Sequence, residues 1–161
     1  MPTTLVLGVG NTLLSDEGIG IHVIRYLERH HPDLPGVAYL DGGTLSFTLA
    51  ELIGEADQLI VVDAARIDAQ PGAIRLFLDA AVDHFLGTGK HSVHEVGLSD
   101  LMDISRLTDS LPAKRALIGI QPQQLDWGER PSPSVAAAIP DAAKLVLELI
   151  HDWRQPAPQA Y

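Results

Sequence analysis

Two adjacent carboxylates, Asp16 and Glu17, follow a turn rich in glycine and asparagine at residues 8–11. The apolar residues 4–9 predict a buried strand before this turn, and a helical pattern begins at Glu17. Neighbouring negative charges repel each other, so this pair favours a visiting cation or a protonated partner. Because parallel sheets place their sites beyond the carboxyl ends of the strands, the turn is a candidate site.

Two more residues have types and positions that suit the same chemistry. Asp63 directly follows the wholly apolar run 59–62, and His94 precedes another helical pattern. Together with Glu17, they offer two carboxylates and one imidazole, a three-ligand set that leaves positions open on a divalent first-row metal. Each residue also has an ordinary interpretation: Glu17 complements a helix dipole, Asp63 caps a helix, and His94 is a surface histidine. His91 remains an alternative to His94 on the residues alone.

Apolar, strand-like runs alternate with helical patterns along the chain. This alternation predicts an α/β fold with a mostly parallel sheet that helices cover on both faces, a three-layer arrangement. The strands are predicted at residues 4–9, 37–40, 58–62, 73–78 and 115–120. Helices are predicted at residues 17–31, after a cap at Thr44 and after His94. Two more are predicted to start at Ser132-Pro133 and at Pro140-Asp141. The last of these carries Trp153 on its inner stripe.

The composition limits the classes of function. The 161 residues predict one domain over residues 1–154 and a flexible tail at 155–161. A formal net charge of −10 opposes binding to nucleic acid or to an anionic membrane surface. No cysteine is present, which excludes disulfides, thiolate metal sites and a cysteine nucleophile from these residues. A membrane-spanning helix needs roughly 20 apolar residues, and no apolar run in the sequence approaches that length. We therefore expect a cytoplasmic protein.

A nucleotide-binding α/β module is one alternative function. Gly8 and Gly10 begin a dinucleotide fingerprint, but Leu13 occupies the place of its third glycine. Asp41, at the end of the second predicted strand, resembles the acid that binds the ribose in such modules. It lies farther from the two glycines than the usual spacing of about 20 residues. The alternative therefore has little support.

Two other features have structural interpretations. Residues 41–44 predict a tight turn and a helix cap, and the glycines Gly42 and Gly43 would let another backbone approach closely. Trp127 and Trp153 are interpreted as packing anchors.

The set of motifs resembles the hydrogenase maturation endopeptidases. It comprises residues 8–11, 16–20, 40–44, 62–64, 94–98 and 118–122, in an order and spacing that extend the resemblance over residues 4–154. The resemblance implies a twisted five-strand sheet between helices. It also implies an endopeptidase that removes the C-terminal extension of the nickel–iron hydrogenase large-subunit precursor after nickel has been inserted.

The resemblance further implies residue roles. The family's metal-contacting residues fall on Glu17, Asp63 and His94, which selects His94 over His91, and Asp16 is implied to orient the site or accept a proton. The catalytic candidates are therefore Asp16, Glu17, Asp63 and His94. Nickel is expected to be carried by the substrate, although other divalent ions can occupy such a site. The expected partner is the precursor alone, as the substrate of a monomeric protease. A non-catalytic hydrogenase assembly factor is the second alternative function.

Overall fold

The computed structural model describes residues 1–43, 47–87 and 98–156. Within these ranges the chain forms five strands: β1 (Thr4–Gly8), β2 (Val37–Asp41), β3 (Gln58–Ala64), β4 (Ile74–Leu78) and β5 (Lys114–Ile120). They build one sheet in the order β2-β1-β3-β5-β4. Pairing is parallel except between β4 and β5, which are antiparallel. The predicted mostly parallel five-strand sheet is confirmed.

Helices cover both faces of this sheet. In the described ranges they are α1 (Ile19–His30), α2 (Leu49–Glu55), α3 (Ala80–Gly87), α4 (Leu98–Leu107), α5 (Pro133–Ala136) and α6 (Ile139–Trp153). One core packs α1 and α6 against strand residues such as Val6 and Ile60. The other packs α2 and α4 against Leu7 and Val61. Successive strand residues point to opposite faces, so the apolar runs fill both cores and produce the predicted three layers.

The start of the first helix differs from the prediction. Residues 17–31 were expected to form one α-helix, but Ser15–Gly18 is a 3-10 turn and α1 begins after it. The N–H of Glu17 donates to the carbonyl of Leu14 at 3.1 Å, the i-to-i+3 bond of such a turn. Glu17 therefore lies in a tight turn at the sheet edge and precedes the α-helix.

Two other predictions need correction. The sequence pattern did not predict α3, a short helix of which only Val82 is buried. Trp127 was interpreted as a packing anchor, and this is wrong: its side chain is 81% exposed. Trp127 lies in the loop that follows β5, away from both cores. Trp153, in contrast, packs against the core on the α1 side as expected.

Several other predictions have a clear outcome. Pro133 and Pro140 lie in the first turns of α5 and α6, which confirms both helix starts. The cap proposed at Thr44 lies outside the described residues, and α2 is described from Leu49 onward. The division into a domain of residues 1–154 and a tail stays a prediction. No helix within the described ranges is long and apolar enough to cross a membrane.

Candidate active site

Two glycines allow the turn that carries Glu17 to pack closely against the sheet. A Cβ placed on Gly20 would lie 2.1 Å from the carbonyl oxygen of Val62 and 2.7 Å from that of Val9. A Cβ on Gly10, whose φ is +140°, would lie 1.9 Å from the carbonyl oxygen of Glu17. All three distances are too short for a Cβ atom, so only glycine permits this approach. The 3-10 turn is thereby held at the carboxyl ends of β1 and β3.

Glu17 and Asp63 both lie at this edge of the sheet. Glu17 lies three residues before Gly20, which touches Val62, and Asp63 is the next residue of β3. The turn and β3 are in direct contact. Glu17 is 8% exposed and Asp63 is 5% exposed. Buried carboxylates are costly unless charge or hydrogen bonds compensate them, and a divalent cation is a suitable compensating charge.

Asp16 is fully buried beside Glu17 and accepts four hydrogen bonds. Oδ2 accepts from the N–H groups of Gln123 and Gln124, each at 2.8 Å, and from Oγ of Ser132 at 2.7 Å. Oδ1 accepts from the N–H of Ser132 at 2.6 Å. Burial raises the pKa of Asp16, but the hydrogen bonds from Gln124, Ser132 and Gln123 together bring it below the ordinary value of 3.8. This ionised, fully engaged carboxylate is suited to holding the turn in place.

Backbone contacts tie the same two loops together. The N–H of Ser15 donates to the carbonyl of Gly128, and the N–H of Gly128 donates to the carbonyl of Leu13, both at 2.8 Å. Oγ of Ser15 donates to the carbonyl of Asp126 at 2.8 Å. Ser15 takes a positive φ of 52° to make these contacts. The loop after β5 and the turn before α1 therefore form one unit around Glu17.

The turn after β2 lies beside the turn after β1. The N–H of Gly43 donates to Oδ1 of Asp41 at 2.8 Å, and its carbonyl accepts from the N–H of Gly10 at 2.9 Å. These bonds confirm the tight-turn interpretation. A pocket of about 270 Å³ lies between this turn and the β1 turn, with Asn11 and Thr12 in its wall.

The predicted histidine ligand cannot be placed. His94 and its alternative His91 both lie outside the described residues. Within residues 1–43, 47–87 and 98–156, no three histidine, aspartate or glutamate side chains cluster closely enough to hold a metal ion. The structure therefore brings two of the three predicted ligands to one edge, and the third stays a prediction.

Sequence reasoning missed how the loop after β5 contributes to the site. Ser132 was recognised only as part of a helix start, yet its hydroxyl bonds to Asp16 and does not cap α5. Ser132 and Asp16 are 116 residues apart, so no local pattern relates them. The available signal was Ser132-Pro133, and it predicted only a helix start.

Comparison with known proteins identifies the family. A family model described as hydrogenase maturation protease matches residues 21–149. The chain belongs to the hydrogenase maturation protease family. It is 38% identical over 152 residues to the hydrogenase 2 maturation protease of Escherichia coli, covering 92% of this chain and 90% of that protein. It is 36% identical to the hydrogenase expression/formation protein HupD of Bradyrhizobium diazoefficiens, with 95% and 83% coverage.

The solved structures agree with this assignment. The hydrogenase maturating endopeptidase HybD from Escherichia coli superposes with a TM-score of 0.87 at 35% identity, and 94% of each chain is covered. The [NiFe] hydrogenase maturation protease HybD from Thermococcus kodakarensis superposes with a TM-score of 0.77 at 26% identity, covering 91% of this chain. The α/β fold and the resemblance found in the motifs are both confirmed. The chain is thus an endopeptidase of hydrogenase maturation, and this favours proteolysis over nucleotide binding.

Proposed function

We propose that this protease removes the C-terminal extension of the nickel–iron hydrogenase large-subunit precursor after nickel has been inserted. In this proposal Glu17, Asp63 and His94 contact the nickel that the precursor carries. The observation that carries the proposal is the position of two buried carboxylates, Glu17 and Asp63, at one sheet edge, on a turn and a strand that are in contact, in a chain of this family. Family membership supports the class of reaction, and the two carboxylates support the site.

The donor set fits an ion that another protein already holds. Two carboxylates and an imidazole are mixed oxygen and nitrogen ligands, and the sequence contains no cysteine that could add thiolates. Such a set completes the coordination of a bound ion and leaves positions open, while softer ligands would come from the precursor. Nickel is therefore part of the substrate in this proposal, although other divalent ions can occupy the same ligands.

The metal ligands would place the scissile bond beside the ion. An ion in this position supplies Lewis-acid chemistry, because it polarises a carbonyl or makes water a better nucleophile at neutral pH. The alternative is that the ion serves only to position the substrate. In both cases Asp16 acts indirectly: its four hydrogen bonds orient the turn that carries Glu17.

The experiment that tests this function uses the purified protease and nickel-loaded precursor. Mass spectrometry should show loss of the C-terminal extension with the wild-type protein and far slower loss with Asp63→Asn. An assembly factor that only docks would bind the loaded precursor and leave its mass unchanged, which would overturn the proposal. A cytoplasmic location and a monomeric state belong to the same proposal.

A further inference from the structure

Trp127 presents a large aromatic side chain to solvent from a fixed backbone. The side chain is 81% exposed. On one side of it, the carbonyl of Asp126 accepts from Oγ of Ser15 at 2.8 Å. On the other, Gly128 exchanges two backbone hydrogen bonds, one with Ser15 and one with Leu13, each at 2.8 Å. Because these hydrogen bonds hold the backbone on both sides of Trp127, the loop keeps the indole exposed to solvent.

Leu13 lies beside Trp127. Leu14 and Gly128 form an isolated parallel bridge, and Leu13 and Trp127 are the residues that precede its two members. Residues at equivalent positions of two parallel segments are neighbours. Leu13 is 50% exposed, and we call these two neighbouring apolar residues the Leu13–Trp127 patch.

The patch and the candidate active site belong to the same rigid unit. Leu13 lies four residues before Glu17, and Trp127 lies three residues after Gln124, whose N–H donates to Asp16. The hydrogen bonds of Asp16 and Ser15 therefore fix the patch relative to Glu17. A polypeptide whose scissile bond lies at Glu17 and Asp63 has the patch within reach of its neighbouring residues.

We propose that the Leu13–Trp127 patch docks an apolar side chain of the hydrogenase large-subunit precursor close to the scissile bond. The proposal rests on the proposed function, since that function supplies the occupant. Two side chains bury far less than the roughly 1,200 Å² of a stable protein–protein interface, so the patch suits one or two residues of a bound chain and not a second copy of the protease. Exposed tryptophans beside a binding site are typical anchors of such contacts.

The kinetic test compares Trp127→Ala, Trp127→Phe and the control Leu107→Ala on nickel-loaded precursor. Leu107 is 87% exposed at the end of α4, which leads to the amino end of β5 and so lies away from the site. Docking energy that is equal in the ground and transition states affects KM alone. We expect Trp127→Ala to raise KM about tenfold with little change in kcat. Trp127→Phe should recover most of the loss, and Leu107→Ala should behave as wild type. An unchanged KM for Trp127→Ala would overturn the docking role.

A binding measurement separates failure of this inference from failure of the proposed function. Protease labelled with fluorotryptophan gives 19F signals for Trp127 and Trp153, which Trp127→Phe assigns. Unlabelled nickel-loaded precursor should shift the Trp127 signal and leave the Trp153 signal in place, even if no cleavage follows. A Trp127 signal that does not move with the precursor, or that moves with protease concentration alone, contradicts the proposal.

Discussion

Asp16 and Ser132, 116 residues apart in the sequence, are joined by two hydrogen bonds that fix the turn beside the candidate site. The N–H of Ser132 donates to Oδ1 at 2.6 Å, and its hydroxyl donates to Oδ2 at 2.7 Å. Hydrogen bonds to a charged acceptor contribute about 1.5–3 kcal/mol each before coupling between them is considered. The carboxylate that immediately precedes Glu17 therefore holds the loop after β5 against the turn.

Asp16→Asn should lower the free energy of unfolding by about 2 kcal/mol at neutral pH, because the amide nitrogen cannot accept from the buried N–H donors. The pKa of Asp16 lies below its ordinary value of 3.8 in the folded protein. Its stabilisation is therefore complete above pH 3.8 and is lost as the pH falls through the folded pKa. Urea unfolding of both proteins between pH 7 and pH 2.5 measures this.

The control for this change is Asp126→Asn, on an exposed side chain of the same loop. It should leave the free energy of unfolding within about 0.5 kcal/mol of wild type. The difference between wild type and Asp16→Asn should shrink as the pH falls below 3.8. A difference that stays constant down to pH 2.5 would show that the charge of Asp16 does not stabilise the fold.

Glu17→Gln, Asp63→Asn and His94→Ala should each reduce processing by at least about 100-fold, since each removes a proposed ligand. The two amide variants keep the shape of the buried side chains, so circular dichroism and the melting temperature should stay near wild type. His91→Ala serves as the matched histidine control and should be far milder. Full activity of His94→Ala together with loss of activity at His91 would show that the wrong histidine was chosen.

The sequence predicted the sheet because its strands are marked locally. Residues 58–62 are a nearly continuous apolar run, as a parallel strand covered on both faces requires, and β3 forms there. Asp63 was selected by the general rule that sites lie beyond the carboxyl ends of strands. Its position beside the turn that bears Glu17 follows from the same rule, since β1 and β3 are neighbours.

The features that were missed depend on contacts between distant loops. Ser15 has a positive φ where it pairs with the loop around Gly128, and serine is not a residue that signals this conformation. Trp127 is exposed although large aromatic residues are usually buried, because hydrogen bonds hold its loop at the sheet edge. Neither the backbone conformation of Ser15 nor the exposure of Trp127 could be predicted without knowing that these two loops are in contact.

Gly43→Asn should weaken cleavage while leaving stability near wild type. Gly43 has a φ of +52°, a conformation that asparagine tolerates and a β-branched residue does not. A Cβ there would come no closer than 3.9 Å to any described neighbour, Oδ1 of Asp41, so the described residues leave room for a side chain beside this turn. If the precursor approaches this turn closely, that side chain obstructs it. Cleavage rates and melting temperatures measure the two effects separately.

Two variants complete the comparison at this turn. Gly36→Asn introduces the same side chain at another positive φ, +72°, at the amino end of β2, and cleavage should be kept. Gly43→Val adds backbone strain to the obstruction, so it should lower stability more than Gly43→Asn does. Normal cleavage by Gly43→Asn would leave the turn with a structural role only.

Processing should depend on nickel in the precursor. The protease offers carboxylates and an imidazole and has no cysteine, so it is not expected to capture nickel tightly alone. The measurement compares metal-free and nickel-loaded precursor at equal concentration with the same protease. We expect cleavage of the loaded form only, and nickel added to the protease alone should not replace nickel in the precursor.

The physical reason is that recognition of the ion requires several ligands at once. One or two contacts from Glu17, Asp63 and His94 would distinguish poorly between loaded and empty precursor, whereas three give a large difference in binding free energy. Asp63→Asn should therefore reduce the preference for loaded precursor as well as the rate. Equal rates of cleavage for the two precursor forms would rule out nickel gating and leave a peptidase that reads only the polypeptide.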